Sequence, residues 1–190
     1  MNLNVYLVSH PIIKKLSNHI IYTKFTGEQI YKYNTKLLGI LLIYEIIRKW
    51  IKIHNIYIKN IDLTKEISIF DSKESYLVIA NLMECHEFIS DINIIAPKVF
   101  LQHINFNIEI RNCYIDNDII NTIKEQKIII IERFLNNDSI IKLLDYLLLE
   151  KNVNINQIKI MCITCTNNIC EHLGNRYKSL KIYTTRIYNY

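Results

Sequence analysis

Glycine is nearly missing from this chain, with three residues in 190, at Gly27, Gly39 and Gly174. Neither G-x-G-x-x-G nor the Walker loop can be assembled from those positions, and G-x-S-x-G does not occur. Proline occurs only at Pro11 and Pro97, and alanine only at Ala80 and Ala96. No Pro/Gly/Ser-rich linker and no internal repeat divides the chain. Residues 1–190 therefore read as one domain, long enough to bury a sizeable core. Long hydrophobic runs are also lacking. The longest, Leu37 to Ile47, is eleven residues and contains Glu45, whereas a bilayer span needs about twenty. The segment Met1-Asn-Leu-Asn-Val5 lacks the basic region and apolar core of a secretory signal. It lacks the Arg/Ser-rich character of a transit peptide as well. The expectation is a soluble protein, with no membrane partner, that stays in the compartment where it is made.

Isoleucine dominates what is present, at about forty copies, and asparagine, lysine and tyrosine are frequent. All four have A/T-rich codons, and the scarce residues have G/C-rich ones. The bias marks an AT-rich genome and leads us to expect the stroma of a plastid (chloroplast) of red-algal type, with the cytoplasm of an AT-rich organism as the alternative. The net charge is +5. Its basic residues are scattered, as at Lys14-Lys15 and Arg48-Lys49, without interleaved aromatics, so nucleic acid is not an expected partner. The five cysteines, Cys85, Cys113, Cys162, Cys165 and Cys170, are odd in number and should be reduced thiols.

Hydrophobic patterning gives the element order. Leu3, Val5 and Leu7 suggest a short extended arm, and Pro11 to Ile21 a helix with proline at its first position. A long helix is expected from about Glu28 to about Ile53; it is apolar nearly all round, which points to the core or to a dimer contact. Ile56 to Ile61, Ile67 to Phe70 and Tyr76 to Ala80 read as strands, and Met83 to Asp91 as a helix. Lys98 to Ile104 reads as a strand, then Ile108 to Asn112 as an arm or hairpin. Lys127 to Ile131 is the clearest strand, with four consecutive isoleucines buried on both faces. The helix after it carries Ile140, Leu143, Leu144, Leu147 and Leu148 at helical spacing, capped by Asp138 or Ser139. Ile158 to Ile163 is a strand, Ile169 to Arg176 a short helix, and Leu180 to Thr184 a last strand. Strands that alternate with helices and are uniformly apolar imply an α/β fold: a parallel sheet flanked by helices, with an N-terminal helical section.

In such folds phosphate ligands bind where a strand ends and a helix begins. Glu132 to Ser139 occupies that place. Glu132 sits at a strand end, where a carboxylate suits ribose hydroxyls or pairs with Arg133 or water. Cys162-x-x-Cys165, with Cys170 and His172, has the residue types of a zinc set. A continuing strand would put Cys162 and Cys165 on opposite faces, and no second C-x-x-C exists, so these read as core and loop thiols and no metal is expected. His10, His19, His54, His86, His103 and His172 are spread along the chain and form no recognisable catalytic set.

Taken in order, these segments resemble uracil phosphoribosyltransferase (the UPRTase family). Ser9-His10-Pro11-Ile-Ile-Lys-Lys15 is similar to the family's His-Pro-Leu-hydrophobic-Lys entry, and Leu38 to Glu45 to its Leu-Leu-x-Tyr-Glu helix. Ile128 to Ser139 matches its strand, Asp-Pro-Met-Leu-Ala-Thr-Gly-Gly-Ser loop and helix. Ile158 to Thr166 and Ile182 to Ile187 match its later strands. The resemblance covers nearly the whole chain and implies a type I phosphoribosyltransferase-like fold and a glycosyltransferase of pyrimidine salvage, making UMP from uracil and phosphoribosyl pyrophosphate. It also implies Mg²⁺ if activity is retained, and a homodimer or a family-related subunit as partner.

The departures imply a pseudoenzyme. The phosphoribosyl-pyrophosphate loop survives as a vestige, Glu132, Arg133, Asn136, Asn137, Asp138 and Ser139, one residue shorter and without glycine. Asp138 would sit beside a 5′-phosphate and repel it. The pyrophosphate-binding Leu-Arg-Ala-Gly turn survives as Leu82, Met83, Glu84 and Cys85, an anion replacing a cation. The family's Met-Tyr-Arg arginine has no convincing counterpart near His103. The chain stops at Tyr190, where the uracil-binding tail would begin. No residue is expected to be catalytic. The alternative is a structural or regulatory subunit, or a nucleotide-binding partner protein.

Overall fold

A computed structural model of the chain describes residues 4–22, 27–104, 123 and 125–189. Its frame is a six-stranded, wholly parallel sheet. In chain order the strands are β1 (Asn4–Leu7), β4 (Tyr76–Ala80), β5 (Val99–His103), β6 (Lys127–Ile131), β8 (Ile158–Met161) and β10 (Lys181–Thr184), and in space they run β1-β10-β8-β6-β4-β5. Helices α1 (Pro11–Tyr22), α2 (Glu28–Ile47) and α3 (Leu82–Ile89) cover one face, and α4 (Ser139–Asp145) and α5 (Asn167–Arg176) the other.

The isoleucine run of β6 follows from this layering. Side chains alternate across a strand. Ile129 and Ile131 enter the core beneath α1, α2 and α3, while Ile128 and Ile130 enter the core beneath α4 and α5. β4 divides in the same way, with Tyr76, Val78 and Ala80 on the first face and Leu77 and Ile79 on the second. The α/β expectation and the parallel sheet hold. Gly39 has a packing role: a methyl group there would overlap the Phe88 carbonyl, so glycine lets α2 lie directly on α3.

Several boundaries differ from expectation. α2 ends at Ile47, not near Ile53, because Trp50 and Ile51 turn back to donate to the Ile47 carbonyl. The two segments after it form an antiparallel hairpin, β2 (Ile53–Lys59) and β3 (Thr64–Phe70), outside the parallel sheet. The arm at the N-terminus is edge strand β1, paired with β10. The expected strand from Ile158 to Ile163 breaks at Cys162 and Ile163. It continues as β9 (Thr164–Thr166), which joins β7 (Phe134–Leu135) and β11 (Arg186–Tyr188) in a second, three-stranded parallel sheet. The arm expected at Ile108 to Asn112, along with Leu3, Cys113 and Tyr190, lies outside the described residues. No helix among the described residues is long and apolar enough to cross a membrane.

Candidate functional site

The carboxyl edge of β4 and β6 opens into a cleft of about 190 Å³. One wall is the start of α3, with Asn81, Glu84 and Cys85; the other is Glu132, Arg133, Phe134, Asn136 and Asn137. The two segments identified separately in the sequence thus face each other across one space. Local chemistry fixes the first wall. The Asn81 side chain accepts from the Met83 N–H at 3.2 Å, capping α3, and His103 Nδ1 accepts from the Leu82 N–H at 3.1 Å. Met83 itself is 82% exposed and does not line the cleft.

The second wall is held by the three-stranded sheet. The Glu132 N–H donates to Met161 and the Arg133 carbonyl accepts from Ile163, after which Phe134 and Leu135 pair with Thr164 and Cys165. The front half of the loop is therefore strand. In the back half, Asn137 Oδ1 accepts from the Ser139 N–H at 3.1 Å. This corrects the capping expectation, since the Asp138 side chain makes no cap bond. Asp138 instead bonds His172 at 3.0 Å, on α5, and is not among the residues lining the cleft.

Electrostatically the cleft is acidic. Glu132 Oε2 is buried without a hydrogen-bond partner among the described residues. Burial first, and then the nearby Glu84 carboxylate, push its pKa up to about 7. Arg133 does not neutralise it, contrary to the pairing considered from sequence. Its guanidinium lies 5.8 Å from the Tyr31 ring and 5.5 Å from Phe134 and donates to the Tyr31 hydroxyl. Its Nε is buried without a hydrogen-bond partner among the described residues. Cys85 is pushed up to about 12, chiefly by burial, and stays a thiol. Tyr31 belongs to the site from α2, about a hundred residues away, and no local sequence signal announces it. Asn81 has the ordinary signature of a helix cap and was legible in principle.

The cysteines behind the loop correct another expectation. Because the strand breaks at Cys162, Cys162, Cys165 and Cys170 share one core, with the Cys165 and Cys170 sulfurs 3.5 Å apart. All described cysteines are free thiols. No group of three His, Cys, Asp or Glu residues among the described residues could hold a metal ion. Glu84 and Glu132 alone thus do not make a Mg²⁺ site, and Mg²⁺ would fit here only as the companion of a bound phosphate ligand.

Comparison with known proteins agrees with the resemblance read from sequence. No family model matches the chain. A uracil phosphoribosyltransferase homolog of Pyropia yezoensis is 26% identical over 192 residues, covering 98% of this chain and 89% of the relative. One of Porphyra purpurea is 25% identical over 187 residues, with the same coverage. Among solved structures, the AQ2163 protein from Aquifex aeolicus superimposes with a TM-score of 0.74 at 16% identity, covering 97% of this chain and 88% of that one. The chain is thus similar along nearly its whole length to uracil phosphoribosyltransferase homologs, and it shares an α/β fold with a solved structure.

Proposed function

We propose that this protein is a degenerate uracil phosphoribosyltransferase homologue that keeps the frame of the enzyme without transferring ribose phosphate to uracil. The observation that carries the reading is the hydrogen bond from the Ser139 N–H to the Asn137 side chain. A phosphate loop works by turning backbone N–H groups toward the anion, and glycine lets the chain approach closely enough to do so. Here a loop N–H is taken by a side chain of the loop itself, and two neighbouring residues are committed to β7.

Charge supports the same reading. The cleft presents Glu84 where the family's turn carries an arginine, Glu132 stands where the family's loop already begins with an aspartate, and the arginine of the cleft is engaged by Tyr31. Positioning and charge stabilisation supply most of the rate in phosphoryl- and phosphoribosyl-type sites, so replacing the turn's cation by Glu84 weakens both. With no phosphate ligand there is no role for Mg²⁺. The compositional bias toward A/T-rich codons supports a plastid stroma, with the cytoplasm as the alternative.

Thermal shift with phosphoribosyl pyrophosphate and Mg²⁺, and separately with UMP, tests the loss of the phosphate site. The reading expects no rise in Tm at ligand concentrations that saturate an active phosphoribosyltransferase. A clear rise with either ligand overturns it. A rise with UMP alone favours the second reading, a nucleotide-binding regulatory subunit, for which the surviving cleft is the supporting observation.

A further inference from the structure

A second cleft, of about 470 Å³, opens where β1, the start of α1 and the end of α2 meet. It shares no residue with the acidic cleft and is the larger of the two. A volume of this size holds a small organic ligand. Its floor is aromatic. The rings of Tyr6 and Tyr183 stack at 4.8 Å with 18° between their planes. Strand pairing fixes them side by side, Tyr6 on β1 opposite Tyr183 on β10, and just beyond them the Val8 N–H donates to the Thr184 carbonyl at 2.8 Å. Tyr183 is 6% exposed and Tyr6 38%, so Tyr183 is the buried half of the stack and Tyr6 the half that a ligand can reach.

The rim is rich in donors. Arg48 Nε pairs with Glu45 at 3.1 Å, which holds the guanidinium and leaves its terminal nitrogens to a ligand. His10 Nδ1 accepts from the Ile12 N–H at 3.3 Å, so in the neutral ring the proton sits on Nε2, a second donor. The Ser9 hydroxyl lines the same rim. The Lys49 ammonium stands 6.0 Å from the centre of the Tyr6 ring. Among the described residues, Glu45 is the one acid lining this cleft, and it is already paired with Arg48. The balance is positive here, where the first cleft is acidic.

We propose that this second cleft binds a small aromatic anion, a planar ring bearing a phosphate or a carboxylate. The ring stacks on Tyr6, and its acidic group reaches Arg48 and Lys49. Neither half suffices alone. Exposed cations hold an isolated anion weakly in water, and one exposed ring gives a neutral aromatic little surface to cover. The aromatic shelf and the cations beside it select a ligand that carries both features. The inference does not depend on whether the first cleft binds a ligand.

Ligand-observed NMR titration of the full chain gives the test, with phenyl phosphate and benzoate as probes and phenol and inorganic phosphate as controls. The expected result is saturable broadening of the ring protons of at least one of the two anions, with Kd in the millimolar range or tighter. Phenol should not bind saturably, and equimolar inorganic phosphate should not displace the probe. Tighter binding of phenyl phosphate assigns a phosphate ester, and tighter binding of benzoate a carboxylate. Arg48→Gln should weaken binding about tenfold, and Tyr6→Leu should weaken it as well. Lys178→Gln, which removes an equal charge elsewhere, should leave it unchanged. Because Tyr6 lies in a strand and its replacement can disturb the sheet edge, Arg48→Gln and Lys49→Gln, both on exposed side chains, decide the outcome by themselves. No saturable binding of either anion, binding that survives Arg48→Gln and Lys49→Gln, equal binding of phenol, or displacement by equimolar inorganic phosphate overturns the proposal.

Discussion

The two edges of the parallel sheet treat buried charge in opposite ways. At the amino edge, Lys127 donates to Glu74 at 2.6 Å and to the Trp50 carbonyl at 2.5 Å, and Tyr76 donates to the other Glu74 oxygen at 2.9 Å. Lys159, 2% exposed, donates to the Ile46 carbonyl at 2.6 Å and stands 3.7 Å from the Trp50 ring centre. Each of these charges has a partner. At the carboxyl edge the Arg133 guanidinium has the Tyr31 hydroxyl, but Glu132 Oε2 and Arg133 Nε are buried without a hydrogen-bond partner among the described residues, and Glu132 faces another acid. Buried polar groups in a settled core are satisfied, and the exceptions mark places shaped by something other than stability. The edge where a buried carboxylate faces a second acid is the one where an α/β fold binds ligands. A site that has lost its ligand would leave this pattern.

Breaking the satisfied edge should cost most. Glu74→Gln strands Lys127 and is expected to lower unfolding free energy by about 3 kcal/mol, measured by urea denaturation. The opposite sign is expected across the sheet. Glu132 has a folded-state pKa raised to about 7. The stability it confers is complete below about 4.5 and lost as pH rises toward 7. Glu132→Gln should therefore flatten the fall in stability over that window and stabilise the protein at pH 8 by about 1–3 kcal/mol. Lys159 sharpens the comparison from the satisfied side. Burial, then Lys181, Lys127 and Lys49, pull its pKa down to about 7, so its contribution is complete above about 10.5 and lost as pH falls through 7. Lys159→Met should raise stability at pH 6 by about 1 kcal/mol, the carbonyl and indole contacts offsetting the rest. The smallest effect is expected for Asn137→Ala, which frees the Ser139 N–H at a cost of about 0.5–1 kcal/mol.

The sequence made the sheet legible where burial was total. Lys127 to Ile131 and Tyr76 to Ala80 are both strands with the expected bounds, because residues apolar on both faces have one solution in a layered fold. It also singled out Glu84 and Cys85 in one segment and Glu132, Arg133, Asn136 and Asn137 in another, and the fold brings the two segments to one cleft. What it hid was decided by long-range pairing. β7, β9 and β11 are two or three residues each and exist only because they meet one another. The same pairing turned Cys162 and Cys165 toward one core and drew Phe134 and Leu135 out of the loop. Tyr31 reached Arg133 from a helix whose periodicity says nothing of that contact. The hairpin misled for a simpler reason. Alternating isoleucines predict a half-buried strand, and the face they predict buried is open among the described residues.

Formation of UMP by the purified protein from uracil, phosphoribosyl pyrophosphate and Mg²⁺ tests the central claim most directly. With the loop N–H taken by Asn137 and two acids in the cleft, no UMP is expected above a protein-free control. Sustained turnover that scales with protein concentration and disappears on heat denaturation would contradict the account.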